Sequence, residues 1–230
     1  MNAHEFFFAD TTLTALPSGA LWWGERGILT VSDLHLGKSD RIARRGGQML
    51  PPFDVHDTLL RLEHDIRHTN ASTVICLGDS FDDLAAAESL TEEARFWIKR
   101  LQVGRSWIWI EGNHDAGLTT LGGTYLVEFT ASPLIFRHIA SISAKAEISG
   151  HYHPKATLHS KGRAITRRCF LYDKTRVILP AYGTYTGGLQ STSEALEQIM
   201  QVSAMAILTG PNPVQIPMPR HHENRDSTAS

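Results

Sequence analysis

The sequence predicts an α/β fold built on two packed sheets, and three observations predict it. Residues 28–110 alternate apolar, strand-like runs with segments of helical periodicity in the order βαβαβ. Polar clusters stand directly after those runs, at Asp33, Asp79 and Asn113, where the sites of open α/β sheets gather. Beyond residue 124 the pattern changes to short strands, which suits a second, more antiparallel sheet packed on the first.

In chain order, residues 6–8, 20–23 and 28–32 read as the first strands, the last running straight into Asp33. Residues 38–53 are basic, contain glycine and end in Pro51-Pro52, a loop or short broken helix beside the site. A helix begins near Asp54, with Asp57 in its first turn, and runs to about His68 with Leu59, Leu62 and Ile66 inward. Residues 73–77 form a strand. Ser89 followed by Glu92 has the form of a capping box, opening a helix through Phe96, Trp97 and Leu101. Residues 106–110 form a strand that ends at Glu111-Gly112-Asn113-His114. The later strands are expected at 125–129, 134–138, 147–149, 164–172 and 175–179, the last two turned by Asp173-Lys174. A helix at 193–200 and a strand at 204–208 close a single domain of residues 1–210. Four prolines from Pro211 onwards, then His221-His222-Glu223-Asn224-Arg225, predict a poorly ordered tail over 211–230.

Composition narrows the function classes. The chain has 230 residues, with 22 Lys and Arg against 24 Asp and Glu and a formal charge of -2. Wrapping a long stretch of nucleic acid calls for a strong basic excess, so a nucleic-acid substrate would be gripped locally. Two cysteines, Cys76 and Cys169, suit a reducing compartment, and Cys76 in the apolar run 73–77 reads as core. The N-terminus lacks the pattern of a signal peptide. No segment approaches the ~20 apolar residues of a membrane span, so the expected location is the cytoplasm.

Four clusters carry metal-binding chemistry. Asp33-Leu34-His35 places a carboxylate and an imidazole two residues apart, on one side of an extended segment. Asp79 follows a buried strand, where a carboxylate needs cations or donors to replace its water; Asp82 and Asp83 read as turn and helix-entry residues. In Gly112-Asn113-His114-Asp115, Asn113 offers an amide oxygen, His114 can donate a proton to a leaving oxygen, and Asp115 can orient His114. His138 and then Gly150-His151-Tyr152-His153 add three imidazoles. Oxygen donors mixed with imidazoles suit manganese, iron or zinc better than magnesium or calcium. There are donors enough for two ions, which together can drive an in-line displacement at phosphorus.

With these residues the sequence resembles the calcineurin-like metallophosphoesterase superfamily, whose motifs run Asp-x-His, Gly-Asp, Gly-Asn-His-Asp/Glu, His and Gly-His-x-His in this order over residues 31–154. The resemblance implies a four-layer α/β/β/α sandwich with two mixed sheets. It also implies that Asp33, His35 and His153 bind a first metal, that Asp79 bridges, that Asn113, His138 and His151 bind a second, and that His114 is the catalytic histidine. One departure is Ser80-Phe81-Asp82 after Asp79, which bears on the pocket wall more than on metal binding. Residues 32–38, 136–138, 148–155 and 179–189 are similar to the bacterial ligase-associated DNA damage response endonucleases of the PdeM type. That likeness implies two manganese ions, a DNA substrate and association with an ATP-dependent DNA ligase and a helicase.

The expected reaction is hydrolysis of a phosphodiester by a metal-activated hydroxide, assisted by His114. Lys38, Arg41, Arg44, Arg45, Arg137 and Lys155 lie in or beside the site segments and form a candidate phosphate-binding rim. Tyr182 and Tyr185 either stack on bases or pack in the core. A small-molecule phosphodiesterase or phosphomonoesterase acting on nucleotides is the alternative, and the oligomeric state is left open.

Overall fold

Each of two sheets turns one apolar face to the other and a second face to helices. The computed structural model describes residues 2–44, 46, 51, 53–114, 121–143, 145–160 and 162–221. The first sheet follows the chain: β1 (His4–Phe8), β2 (Thr11–Ala15), β3 (Leu21–Trp23), β4 (Ile28–Ser32), β5 (Thr73–Leu77), β6 (Ser106–Ile110) and β7 (Thr124–Leu126) are neighbours in that order. β1 to β4 pair antiparallel and β4 to β7 parallel. Between β4 and β5 run α1 (Lys38–Arg44) and α2 (Asp54–Thr69); between β5 and β6 run α3 (Leu84–Ser89) and α4 (Glu92–Gln102).

The second sheet holds β8 (Glu128–Ala131), β9 (Leu134–Arg137), β10 (Glu147–Ser149), β11 (Lys155–Ser160), β12 (Arg163–Tyr172), β13 (Arg176–Ile178), β14 (Met205–Leu208) and β15 (Val214–Pro217). Its order is β15-β14-β12-β13-β10-β9-β8, with β11 paired to β12. β9, β10 and β13 run parallel and their neighbours antiparallel, so both sheets are mixed. α5 (Glu194–Ile199) lies between β13 and β14.

Burial explains the layering. Phe6, Leu21, Ile75 and Ile108 of the first sheet meet Phe136, Ile148, Phe170 and Ile207 of the second in one core. On the far face of the first sheet, Leu29, Val31, Val74 and Cys76 pack under Leu59, Leu62 and Ile66 of α2 and Ile98 of α4. On the far face of the second, Cys169, Leu171 and Ala206 pack under Leu196 of α5 and Met200. The result is the α/β/β/α order, and β4 is buried at every position and β5 at all but its first because helices cover one face and a sheet the other.

Several local details differ from the sequence reading. The residues read as one strand over 125–129 divide at Val127: β7 joins the first sheet and β8 the second. Thr91, not Ser89, caps α4, accepting from the Ala94 N–H at 3.2 Å, while Ser89 ends α3 and donates to the Ala86 carbonyl. Asp83 is the helix-entry residue expected, accepting from the Ala86 N–H at 2.6 Å. The tail does not begin at residue 211: Val214–Pro217 pair with β14, and Met218 is buried. Proline is compatible with that strand because β15 is at the sheet edge, where one side of the backbone needs no partner. Residues 222–230 of the expected tail lie outside the described residues. No helix among the described residues is long and apolar enough to cross a membrane.

Candidate metal centre

The site is assembled from turns that follow β4, β5, β6, β9 and β10, and backbone hydrogen bonds tie these turns together. His35 N–H donates to the Asp79 carbonyl at 3.0 Å and Leu36 N–H to the Ser80 carbonyl at 2.9 Å. Gly150 N–H donates to the His138 carbonyl at 2.9 Å, and Tyr182 N–H to the Ser32 carbonyl at 2.7 Å. Two glycines allow the packing to be this close. A Cβ on Gly150 would stand 1.8 Å from Ser32 Oγ, and one on Gly78, whose φ is +65°, would stand 2.2 Å from His138 Nδ1.

The side chains converge by a route that the sequence reading did not foresee. Asp33, His35, Asp79, His151 and His153 all have positive φ, at 52°, 44°, 43°, 71° and 47°. Asp33-x-His35 and His151-x-His153 are therefore not extended segments with side chains on one pleat face; left-handed turns aim them inward. Non-glycine residues adopt this region at a cost of about 1–3 kcal/mol each, and such residues cluster at functional sites.

Two groups of three result. Asp33, His35 and His153 offer ligand atoms within 4.8 Å of one another, as do Asp79, His138 and His151. The groups adjoin: His138 Nδ1 lies 3.9 Å from Asp33 Oδ1. Each carboxylate has one oxygen anchored and one presented. Asp33 Oδ2 accepts from Ser32 Oγ and, at 3.0 Å, from His151 N–H, whereas Oδ1 has no hydrogen-bond partner among the described residues. Asp79 Oδ1 accepts from His114 N–H at 3.0 Å, and Oδ2 lies 3.4 Å from His138 Nε2.

The imidazoles are fixed in the same way. His35 Nδ1 is 2.7 Å from Asp82 Oδ1, and His138 Nδ1 is 3.2 Å from the Leu77 carbonyl. A proton on Nδ1 in each leaves the Nε2 lone pair free for a cation. His35 Nε2, His153 Nε2 and Asp33 Oδ1 are buried with no hydrogen-bond partner among the described residues. Buried polar atoms normally have partners, so three that lack them, in one cluster with mixed oxygen and nitrogen donors, fit divalent cations.

The charges agree with that fit. Burial would raise the Asp79 carboxyl, yet His138 and the His114 N–H hold it well below the usual carboxylate range. Burial would lower His138, but Asp79 and Asp33 raise it. In His151, burial and the neighbouring His138 lower the value. The carboxylates that raise His138 thus draw positive charge to the place where its imidazole and theirs converge.

The remaining candidates fall in distinct places. Asn113 is exposed on the loop between Gly112 and His114. His114 is 39% exposed, with Nε2 3.9 Å from Asp79 Oδ2 and its ring 5.7 Å from that of His35. Lys38 and Arg41 reach Asp82 at 3.3 and 2.8 Å, and Arg44 reaches Asp83 at 2.8 Å. Arg137 is held by Glu128 and by the buried Glu147, at 3.3 Å from the latter. Lys155 is half-buried beside Gly188, and its ammonium has no hydrogen bond or ion pair among the described residues. Arg45 and Asp115 lie outside the described residues.

Three contributors were given no part in the site by the sequence reading, which took Asp82 for a turn residue. Asp82 orients His35, Ser32 anchors Asp33, and Arg168 donates to the Ala181 and Thr184 carbonyls at 3.0 and 3.1 Å, bracing the loop behind Asp33. Asp82 had a signal, a third carboxylate three residues after Asp79, but spacing alone does not tell an orienting carboxylate from a turn. Tyr182 is fully buried, which excludes it from stacking on a base.

The pattern of the family described as "Calcineurin-like phosphoesterase" matches residues 27–199 of the chain. Among solved structures, the chain is similar to the one titled "Crystal structure of Pseudomonas putida nuclease MPE", at 25% identity and a TM-score of 0.72, covering 93% of this chain and 100% of that chain. No curated protein is similar enough to this chain to count as a match.

Proposed function

The chain belongs to the calcineurin-like phosphoesterase family, and we propose that within it the protein is a metal-dependent phosphodiesterase that cleaves DNA. The observation that carries this reading is the pair of adjoining three-donor groups, with Asp33 Oδ1, His35 Nε2 and His153 Nε2 buried and without a hydrogen-bond partner among the described residues. In it, Asp33, His35 and His153 would hold one ion, and Asp79, His138 and His151, with Asn113, would hold the other. Manganese is the ion proposed for both positions. Bound there, two such ions supply Lewis-acid polarisation of the phosphate and activation of water.

The protein's own groups do the rest. Asp82 holds the His35 ring in one orientation, and the Leu77 carbonyl does so for His138. His114, exposed at the mouth beside Asp79, donates a proton to the departing alcohol oxygen or a hydrogen bond to a phosphate oxygen. Its exposure leaves the site open to a polymer, and the similarity to a structure titled a nuclease supports a nucleic acid over a small diester. A cytoplasmic role in DNA repair, with functional association to an ATP-dependent DNA ligase and a helicase, is proposed from the motif resemblance alone.

The test is the ratio of phosphodiester to phosphomonoester turnover on aryl substrates with Mn²⁺, against His114→Ala. A ratio well above one, lost in the variant, is expected. A ratio well below one overturns the diesterase reading in favour of a phosphatase for a small monoester.

A further inference from the structure

β11 and the first half of β12 leave the body of the second sheet as a two-stranded arm. They pair from Lys155↔Arg168 at the base to Ser160↔Arg163 at the tip. β12 meets β13 only at Leu171 and Tyr172, and β14 only from Cys169 to Tyr172. Residues 163–167 therefore extend past both neighbours, while the Arg168 carbonyl still accepts from Thr209 N–H at 2.9 Å. β12 runs antiparallel to β13, and β13 runs parallel to β10, whose C-terminal end leads into His151 and His153. The arm thus projects from the metal-site end of the sheet, with its base at Lys155, two residues from His153. Five residue steps carry its tip about 17 Å further.

The charge of this arm is unlike that of the chain. Between Glu147 and Asp173 the sequence has no acidic residue and five basic ones, Lys155, Lys161, Arg163, Arg167 and Arg168, in a protein of formal charge -2. Arg168 is committed to the Ala181 and Thr184 carbonyls. Arg163 and Arg167 are exposed, and neither has a hydrogen bond or ion pair among the described residues. Both lie on one face of the hairpin, opposite Ser160 and Ala156. Discouraging edge-to-edge pairing is the simpler purpose of charge on such an edge. That purpose is served by either sign, or by salt-bridged pairs, and does not account for cations alone on a hairpin rooted at the catalytic end.

We propose that the β11–β12 hairpin is a phosphate-binding arm, on which Arg163 and Arg167 hold the backbone of a nucleic-acid strand flanking the scissile bond. This rests on the nuclease reading above and adds the surface that recognises a polymer. A small diester at the metals would not reach a tip about 17 Å away, whereas a strand whose phosphates recur every ~3.4 Å of duplex axis would span it.

The test compares wild type, the Arg163→Ala/Arg167→Ala double variant and the Arg163→Lys/Arg167→Lys double variant, all loaded with Mn²⁺. Turnover of an aryl phosphodiester is expected to be the same in all three, which also shows that each is folded. On single-stranded DNA, the alanine variant is expected to raise KM about tenfold at low salt. It is also expected to flatten the slope of log affinity against log salt by about 1.4, roughly 0.7 for each phosphate no longer neutralised. The lysine variant is expected to keep the wild-type slope. An unchanged KM and slope in the alanine variant, with wild type cutting DNA, overturns the arm and leaves the nuclease reading standing. A wild type that hydrolyses the aryl diester but neither binds nor cuts DNA overturns both.

Discussion

Nδ1 of His35 lies 2.7 Å from Oδ1 of Asp82, so a carboxylate from the turn after β5 sets the direction of an imidazole from the turn after β4. Asp82 is itself buried and also takes Lys38 and Arg41. Cations that the sequence suggested for a substrate thus have a second employment: they neutralise the carboxylate that orients His35. Loss of such an outer partner typically weakens metal binding 10–100-fold. Asp82→Asn is expected to fall in that range by titration calorimetry with Mn²⁺. An unchanged affinity would show that packing alone holds the His35 ring.

The same carboxylate predicts a pH effect in the metal-free protein. Burial would raise its pKa, but His35, Arg41 and Lys38 hold it well below the usual range. A depressed folded value contributes stability that is present above the unfolded value of about 3.9 and is lost as pH falls through the folded one. The stability gap between wild type and Asp82→Asn, from urea melts of chelated protein, is therefore expected to narrow as pH is lowered through ~4. A gap that widens there would contradict the ion-pair account.

How much of this could be read in the sequence depends on what each residue needs from its surroundings. Ile28–Ser32, Thr73–Leu77 and Ser106–Ile110 coincide with the runs predicted, because strands buried on both faces are mostly apolar and end at a polar turn; Glu147–Ser149 coincides too, placed by the Gly150-His151 turn that follows it. β2, Thr-Thr-Leu-Thr-Ala, went unread because Thr11 occupies one of its three buried positions and blurs the alternation of apolar and polar residues. β15 was hidden by its prolines, and the division of β7 from β8 by a change of sheet that leaves no periodic trace. Within the site, the residue types and their order were legible. The left-handed φ values that make Asp33 converge with His35, and His151 with His153, were not, since they follow from the packing of turns far apart in the chain.

A different network supports the same turn from behind. The Tyr182 hydroxyl donates to Asp65 Oδ2 at 2.8 Å, and the Arg61 guanidinium stands 4.7 Å from the ring centre. The backbone of Tyr182, not its side chain, holds Ser32. Tyr182→Phe removes a buried donor and leaves Asp65 less satisfied, at a cost of about 1–3 kcal/mol. The expected outcome is a lower urea midpoint with Mn²⁺ affinity within about threefold of wild type. A large loss of affinity without loss of stability would place the hydroxyl in the site's own geometry.

Asp33 Oδ1 and His153 Nε2 approach to 3.1 Å without forming a hydrogen bond, the arrangement of two ligands aimed at a shared third atom. Asp79, His138 and His151 form the neighbouring group. If each group holds its own ion, wild type binds two Mn²⁺ per chain, while His153→Ala and His151→Ala each bind one. Activity should fall in both variants by more than the 10–100-fold expected of an outer partner. Elemental analysis of dialysed protein, with electron paramagnetic resonance for the spin coupling that only a close pair of Mn²⁺ ions gives, separates the cases. One ion in wild type, lost wholly in either variant, would mean that the six residues form a single site, and the proposed division of donors would have to be abandoned.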